Sequence, residues 1–372
     1  MAAAGNSNPD MATMDISAFN RILQFGVDRG ISDVHFEVAH PPHLRLQGDL
    51  LPAKYVPLRP RDTRAIAELL LGEAYAAFVA DRKERDVTYA IEGISRFRAT
   101  VFWQRGYVGI VLRVIPLTIR SFGELNLPSC LEDLCLTRRG LILVTGATGM
   151  GKSTTIAAML QRINQTRRAH IITIEEPIEF LFPKEKSLII QREVGTDTET
   201  YRAAILAALR QDPDVIMLGE ARDTETIDTC IKAAETGHLV LTSVHTEDAL
   251  RTIQRIVGMF PPADHETIRL RLAESLKAVI CLRLLPALDG KMRLPAVEIM
   301  RVTRTIAECI RNPAKIQEIP QHIAKGQELY GMQTFDQHLH AMLQDQRVSM
   351  EVARMAASNP DDLQRHLTLE EI

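Results

Sequence analysis

Eight consecutive residues constrain this chain more than any others. Gly146-Ala147-Thr148-Gly149-Met150-Gly151-Lys152-Ser153 fits the G-x-x-x-x-G-K-[ST] phosphate loop at every required position. The flanks fit as well: residues 141–145 form an apolar run that reads as a buried strand, and residues 153–160 read as the start of a helix. Gly146, Gly149 and Gly151 let backbone N–H groups turn inward where a side chain would obstruct the approach of a phosphate. The helix N-terminus adds its partial positive charge. Lys152 is placed to reach the β- and γ-phosphates, Thr148 and Thr154 line the same loop and helix start, and the Ser153 hydroxyl is placed to ligate Mg²⁺. A nucleoside triphosphate is the expected ligand.

The 372 residues suit two domains, each with its own core. An apolar share of 46% and a charged share of 24% are those of an ordinary globular protein. With a net charge of −3, no global basic field draws the chain to nucleic acid or anionic lipid. A nucleic-acid translocase is disfavoured further by the single Trp and the lack of interleaved aromatic and basic residues. The five cysteines are scattered without a C-x-x-C pair, so no zinc site is expected and they read as small core residues in a reducing cytosol. No apolar run approaches the ~18–20 residues that span a bilayer. Residues 1–14 are small and polar and read as a disordered tail, not a signal peptide.

From Asp15 onward, Ile16, Phe19, Ile22, Leu23 and Val27 recur at helical spacing until Gly30. Val34, Phe36 and Val38 then alternate with polar residues, as do Leu44 and Leu46, and Gln47-Gly48-Asp49 offers a turn. One helix is expected from 62 to about 82. Strands follow, with Phe97, Ala99, Val101 and Trp103 on one face and Val108, Ile110, Leu112 and Val114 continuing the sheet. This is an α+β domain over 15–115, and the Pro-, Ser- and Gly-containing stretch 116–128 reads as a linker. Strands and helices then alternate at 141–145, 153–164, 170–174, 200–210, 214–218, 224–235 and 239–244, which means a mostly parallel α/β sheet covered on both faces. From about 246 the chain reads as helices, with a strand pair near 280–299, so the domain is expected to span 129–300 and a helical C-terminal region 301–372.

Two of these strands end in carboxylates, where open α/β sheets bind ligands. Ile171-Ile172-Thr173-Ile174 runs into Glu175, Glu176, Pro177 and Glu179. Val215-Ile216-Met217-Leu218 runs into Gly219-Glu220, followed by Arg222-Asp223, and Glu220 takes a Walker B-like position. Such groups hold Mg²⁺ through water and orient or deprotonate the attacking water. A third strand carries a histidine at each end, His238 before it and His245 after it. His245 falls on the same edge as the carboxylates, where a histidine can sense a γ-phosphate.

In this combination the chain resembles the type IV pilus retraction ATPases of the PilT/PilU family, within the secretion ATPase superfamily. The Walker A loop, an Asp box at 173–179, a Walker B segment from Asp212-Pro213-Asp214 to Glu220 and a His box at 234–245 occur in order. Ser32-Asp33-Val34-His35-Phe36 and Pro41-Pro42-His43-Leu44-Arg45 resemble the family's PAS-like N-terminal domain. The resemblance implies a PAS-like α+β domain, then a RecA-like P-loop ATPase domain with a helical C-terminal region. It implies a homo-hexamer, cytoplasmic and peripheral at the inner membrane, that binds ATP at junctions between subunits. It also implies an inner-membrane platform protein and a second retraction ATPase as partners, and no nucleic acid. Arg98 and Arg113 match the arginines that reach the nucleotide, His238 stands among the nucleotide-binding positions, and Glu179 and Glu220 share water activation and Mg²⁺ handling. Glu179 is expected as the base, with Glu220 on the metal side.

The departures from the family pattern are specific. Ala147 and Met150 replace Pro and Ser at variable positions of the loop, Glu176 stands for Asp, and Ala221 replaces a larger apolar residue. Thr305-Ile306-Ala307-Glu308-Cys309-Ile310-Arg311-Asn312 aligns with the retraction motif AIRNLIRE but keeps only Ile306, Ile310 and Arg311. The apolar helix face is retained while the polar face is rewritten. With the tail at 331–337 and 358–363, this leaves an accessory, PilU-like motor as the alternative reading.

Overall fold

The computed structural model describes residues 14–46, 48–115, 118–290 and 292–360. Positions 1–13 of the expected tail, Gln47 of the expected turn, Pro116 of the expected linker and the 361–372 end of the expected helical region lie outside the described residues. The chain divides into two compact units, Met1–Thr118 and Ile119–Ile372.

In the first unit, helix α1 (Ile16–Asp28) begins where the Asp15 carboxylate accepts the Ala18 N–H at 2.6 Å, an N-cap that satisfies one orphan donor. Strands β1 (Asp33–Phe36), β2 (His43–Leu46) and β3 (Asp49–Pro52) follow, then helices α2 (Pro60–Leu71) and α3 (Tyr75–Asp81), then strands β4 (Arg85–Ile91), β5 (Ser95–Gln104) and β6 (Tyr107–Ile115). The single helix expected over 62–82 is two helices. Gly72 takes φ +50 and ψ −123, which no helix accommodates, and the chain passes through a short 3-10 turn there. The six strands form an antiparallel sheet in the order β3-β2-β1-β6-β5-β4. Phe19 and Leu23 of α1, Ile66 of α2 and Phe78 of α3 pack on its inner face against Val34, Phe36, Phe97, Ile110 and Leu112. On its other face a single cross-strand row runs Thr88, Arg98, Arg113, Asp33, Arg45.

The second unit starts inside the segment expected to be a linker: Phe122 and Leu127 are buried in its core beside Leu131 and Ile163. Its elements are α4 (Cys130–Leu134), β7 (Gly140–Thr145), α5 (Lys152–Thr166), β8 (His170–Glu175), β9 (Leu188–Glu193), α6 (Tyr201–Ala208), β10 (Val215–Leu218), α7 (Thr224–Glu235) and β11 (Leu239–Val244). Then come α8 (Ala249–Gly258), α9 (His265–Ser275), β12 (Leu276–Pro286), β13 (Arg293–Arg301), α10 (Arg304–Arg311), α11 (Ile319–Lys325), α12 (Gln327–Tyr330), α13 (Phe335–Gln344) and α14 (Met350–Ala356). The sheet order is β13-β12-β7-β11-β10-β8-β9, parallel throughout except for the edge strand β13. Alternate residues of β7 serve opposite faces. Leu141 and Leu143 join the core under α6 to α10, and Ile142 and Val144 join the core under α4 and α5. The helices after β13 bury Ile306, Ile310, Phe335 and Leu339 in the first of those cores, so the C-terminal helices are part of the same body as the sheet.

Candidate functional site

The parallel register brings the chemistry to one edge. Thr145 pairs with Val244, Leu218 with Thr242 and Ile174 with Leu218, so the segments leaving β7, β11, β10 and β8 emerge side by side. Short bonds tie those segments together. The Gly219 N–H donates to Ile174 O at 2.8 Å, the Ala221 N–H to Ser243 O at 3.0 Å, and the Ser243 hydroxyl to Gly219 O at 2.6 Å.

The phosphate loop follows β7. Gly146 has φ +143, and a Cβ there would stand 2.6 Å from the Leu282 carbonyl of β12, so only glycine fits. Gly151 takes φ +88 as the N-cap residue just before α5. Lys152, the first residue of α5, is buried and donates to Gly146 O at 2.9 Å and Ala147 O at 3.0 Å. Its ammonium thus sits inside the loop, held by the carbonyls of the loop itself. Burial pushes the Lys152 ammonium below its ordinary pKa, and the Glu220 and Glu179 carboxylates oppose that. Met150 takes part in fixing the loop: its sulfur accepts the Leu284 N–H of β12 at 3.3 Å.

The carboxylates divide into two contacts. The Ser153 hydroxyl donates to Glu179 Oε1 at 3.0 Å. Glu220 meets His245 Nε2 at 3.0 Å through one oxygen and Arg222 at 3.0 Å through the other. Burial alone would raise Glu220, but the Arg222 and His245 contacts outweigh it and hold its carboxyl below the usual range. The second ring nitrogen of His245 lies 3.5 Å from Thr148 Oγ1, so the phosphate loop, the imidazole and the Walker B carboxylate form one chain of contacts. Gly146, Thr148, Gly149, Gly151, Lys152, Ser153, Thr154, Glu179, Glu220 and His245 are all brought to this edge.

Of the other three expected residues, one lies elsewhere in this unit and two belong to the first unit. His238 precedes β11 at the opposite edge of the sheet, seven residues and about 23 Å along the strand from His245 at ~3.3 Å per residue. Its Nδ1 lies 3.0 Å from Ala233 O, so the ring caps the end of α7 and does not reach the phosphate loop of its own chain. Arg98 and Arg113 belong to the first unit. There they are cross-strand neighbours, paired with Asp86 at 3.2 Å and Asp33 at 2.9 Å. The two guanidiniums are 43% and 72% exposed; Asp86 is exposed as well, so the Arg98 pair is a surface contact worth only about 0–1 kcal/mol, whereas the Asp33 carboxylate is buried and is held by Arg113 and the Ser32 hydroxyl.

Other parts of the site were not singled out in the sequence. Strand β9 supplies Gln191, which donates to Glu175 Oε1 at 3.2 Å and Phe180 O at 2.8 Å, and Glu193, which accepts the Ile178 N–H at 3.2 Å. These bonds set the path of the segment that carries Glu179. The weak signal for β9 was the apolar triplet Leu188-Ile189-Ile190. A cavity of about 200 Å³ also flanks the loop, lined by Arg120, Asn126, Met150, Gly151, Thr154 and Leu284. Its residues come from three distant stretches, so no motif announces it.

The Type II/IV secretion system protein family model matches residues 111–370. The chain is 39% identical to the type IV pilus retraction ATPase PilT of Pseudomonas aeruginosa over 349 residues, 94% of this chain and 100% of PilT. It is 37% identical to the type IV pilus ATPase PilU of the same organism over 351 residues, 94% of this chain and 91% of PilU. Among solved structures, the pilus retraction motor PilT with bound ADP superposes with a TM-score of 0.86 at 41% identity, covering 93% of this chain and 98% of that one. The ATPase DotB of Legionella pneumophila shares the fold, with a TM-score of 0.78 at 24% identity over 93% of this chain and 97% of DotB. The loop, the carboxylates and the histidine thus stand on a shared scaffold, and this chain belongs to the type II/IV secretion system protein family, within its PilT/PilU group of secretion ATPases.

Proposed function

We propose that the chain is a hexameric ATPase motor that powers type IV pilus retraction by hydrolysing ATP at the junctions between subunits. The observation that carries this reading is the continuous set of contacts Thr148–His245–Glu220–Arg222 beside a complete phosphate loop, in a chain as similar to PilT as its full-length match makes it. A phosphate group entering the loop would take over Lys152 from the Gly146 and Ala147 carbonyls. The glycine-lined loop and the helix start then supply the N–H donors that phosphoryl transfer needs. The Ser153 hydroxyl with Glu179 and Glu220 is an all-oxygen donor set, the kind a hard cation such as Mg²⁺ takes, usually keeping several waters. That cation would neutralise charge on the phosphates. The cavity that flanks the loop and is lined by Arg120 and Asn126 is where this reading puts the nucleoside.

His245 couples the phosphate end of the site to Glu220, so loss of a phosphate contact at Thr148 would be felt at the Walker B carboxylate. Arg98 and Arg113 would reach the nucleotide from a neighbouring subunit and neutralise the transferring phosphoryl group, as an arginine finger does. The movement that follows hydrolysis would act on a platform protein at the inner membrane from the cytoplasmic side. Among the described residues no helix is long and apolar enough to cross a membrane. The accessory, low-turnover alternative has no better support: the loop and both carboxylates are intact, and identity to PilU does not exceed that to PilT.

The test is steady-state ATP hydrolysis by the purified full chain with Mg²⁺, beside Lys152→Ala. Loss of the lysine should lower turnover roughly 100-fold or more, the scale of removing one preorganised charge-stabilising donor. Unchanged turnover in a folded Lys152→Ala variant would overturn the reading.

A further inference from the structure

Away from the phosphate loop, the second unit places a thiol, a carboxylate and an imidazole together. Cys309 on α10, Glu318 at the start of α11 and His322 on α11 each bring one ligand atom within 4.8 Å of the other two. Among the described residues no other group of three or more His, Cys, Asp or Glu side chains converges in this way. Glu318 and His322 are i and i+4, hence on one face of the helical turn, with His322 Nε2 3.6 Å from Glu318 Oε2. Cys309 reaches them from the neighbouring helix. Its side chain is buried in the core with Ile306, Ile310, Ile316 and Ile319, while Glu318 is exposed and His322 half-buried.

We infer that Cys309, Glu318 and His322 form a zinc-binding site that clips α10 to α11. The ligand chemistry is that of zinc: one sulfur, one imidazole nitrogen and one carboxylate oxygen, with a fourth position left to water on the exposed side. The distances fit. Bonds of about 2.0–2.3 Å from a tetrahedral ion place its ligands roughly 3.3–3.8 Å apart, so the three atoms need to close by only about 1 Å. The charges fit too, because one thiolate and one carboxylate neutralise a dication at the edge of an apolar core. Binding replaces the thiol proton: Cys309 S–H gives up H⁺ to solvent as the S–Zn bond forms, with no change of oxidation state.

Sequence spacing hides this site, because its ligands are 9 and 4 residues apart and the turn between α10 and α11 assembles them. It also falls within the stretch that departs from the retraction motif, since Cys309 takes a position where that motif has Leu. The inference does not depend on the ATPase reading, and metal binding can be read without nucleotide.

The test is titration of the nucleotide-free, metal-stripped full chain with Co²⁺, a spectroscopic substitute for Zn²⁺, followed by displacement with Zn²⁺. The expected result is one equivalent per chain, with sulfur-to-cobalt charge-transfer absorption and the intense visible bands of a tetrahedral site. Cys309→Ala should abolish the charge-transfer band, and Cys130→Ser should leave it. His322→Ala, at a half-buried position, should weaken Zn²⁺ binding about 100-fold or more, since losing even an outer-shell partner costs ~10–100-fold. Absence of the band in the wild-type chain would overturn the proposal. So would a band that survives Cys309→Ala, or Zn²⁺ affinity unaffected by His322→Ala.

Discussion

Lys152, Glu179, Glu220 and His245 owe their positions to different forces, and their variants should fail in different ways. Lys152 is held by two loop carbonyls and loses hydration for it, a cost that a bound phosphate would offset. Glu179 touches the hydroxyl expected on the metal, whereas Glu220 is engaged on both oxygens by His245 and Arg222. Glutamine at either position keeps the shape and removes the charge. If Glu179 is the base, Glu179→Gln should lower kcat by about 10²–10⁴-fold while nucleotide affinity is retained. Glu220→Gln should instead raise the Mg²⁺ concentration needed for half-maximal turnover. Fluorescent-nucleotide binding and Mg²⁺ titration of both variants would separate the roles, and the opposite pattern would exchange them.

Strand register does most of the assembly at the level of elements. The phosphate loop was legible because its glycines, lysine and serine are contiguous and a strand and a helix flank it. The acidic strand ends were legible because an apolar run that stops at a carboxylate marks the edge of a buried sheet. Strand β9 was not, because an edge strand with Leu188 and Ile190 exposed lacks the buried pattern of its neighbours. Nor was the fate of His238, whose ring is engaged by the Ala233 carbonyl at the end of α7, or that of 119–128, whose Phe122 and Leu127 reveal a core role only once α4 and α5 pack on them. Gly146 answers to β12 as well as to phosphate. Gly146→Ala meets both the positive φ and the Leu282 carbonyl, and should cost about 1–3 kcal/mol by urea unfolding. Glu298 on β13 is a second buried constraint, accepting the Ala249 N–H at the start of α8 at 2.8 Å. Burial pushes its carboxyl up to about 7, with Asp248 adding to the rise and the Ala249 N–H and Arg283 opposing it. The folded chain therefore keeps a proton that the unfolded chain releases from about pH 4.5, the ordinary value. The corresponding stability is full below that pH and is lost as pH rises toward about 7. Glu298→Gln keeps an acceptor and cannot ionise. Its stability relative to wild type should rise by about 3 kcal/mol between roughly pH 4.5 and pH 8. A pH-independent difference in unfolding midpoints would contradict this.

At the scale of the whole molecule, the proposed motor needs more than one subunit at each site. Arg98 and Arg113 are exposed cross-strand neighbours on one face of their sheet, which presents both guanidiniums together to the nucleotide that the proposal assigns to another copy; releasing Arg98 from the exposed Asp86 costs little, whereas releasing Arg113 leaves the buried Asp33 carboxylate without its guanidinium. Arg113→Ala should lower turnover about 10³-fold or more, on the scale of losing an arginine finger. Mixed with Lys152→Ala, which keeps its arginines, it should recover part of the wild-type rate, because junctions with one intact half from each variant form. No recovery would place the arginines outside the neighbour's site. The central claim joins hydrolysis to pilus withdrawal. It is tested most directly by imaging labelled pili in a strain that lacks its own retraction ATPases and carries this full chain alone. Retraction by the wild-type chain and extended, static pili with Lys152→Ala are the predicted result. Static pili with both, or retraction that survives Lys152→Ala, would contradict it.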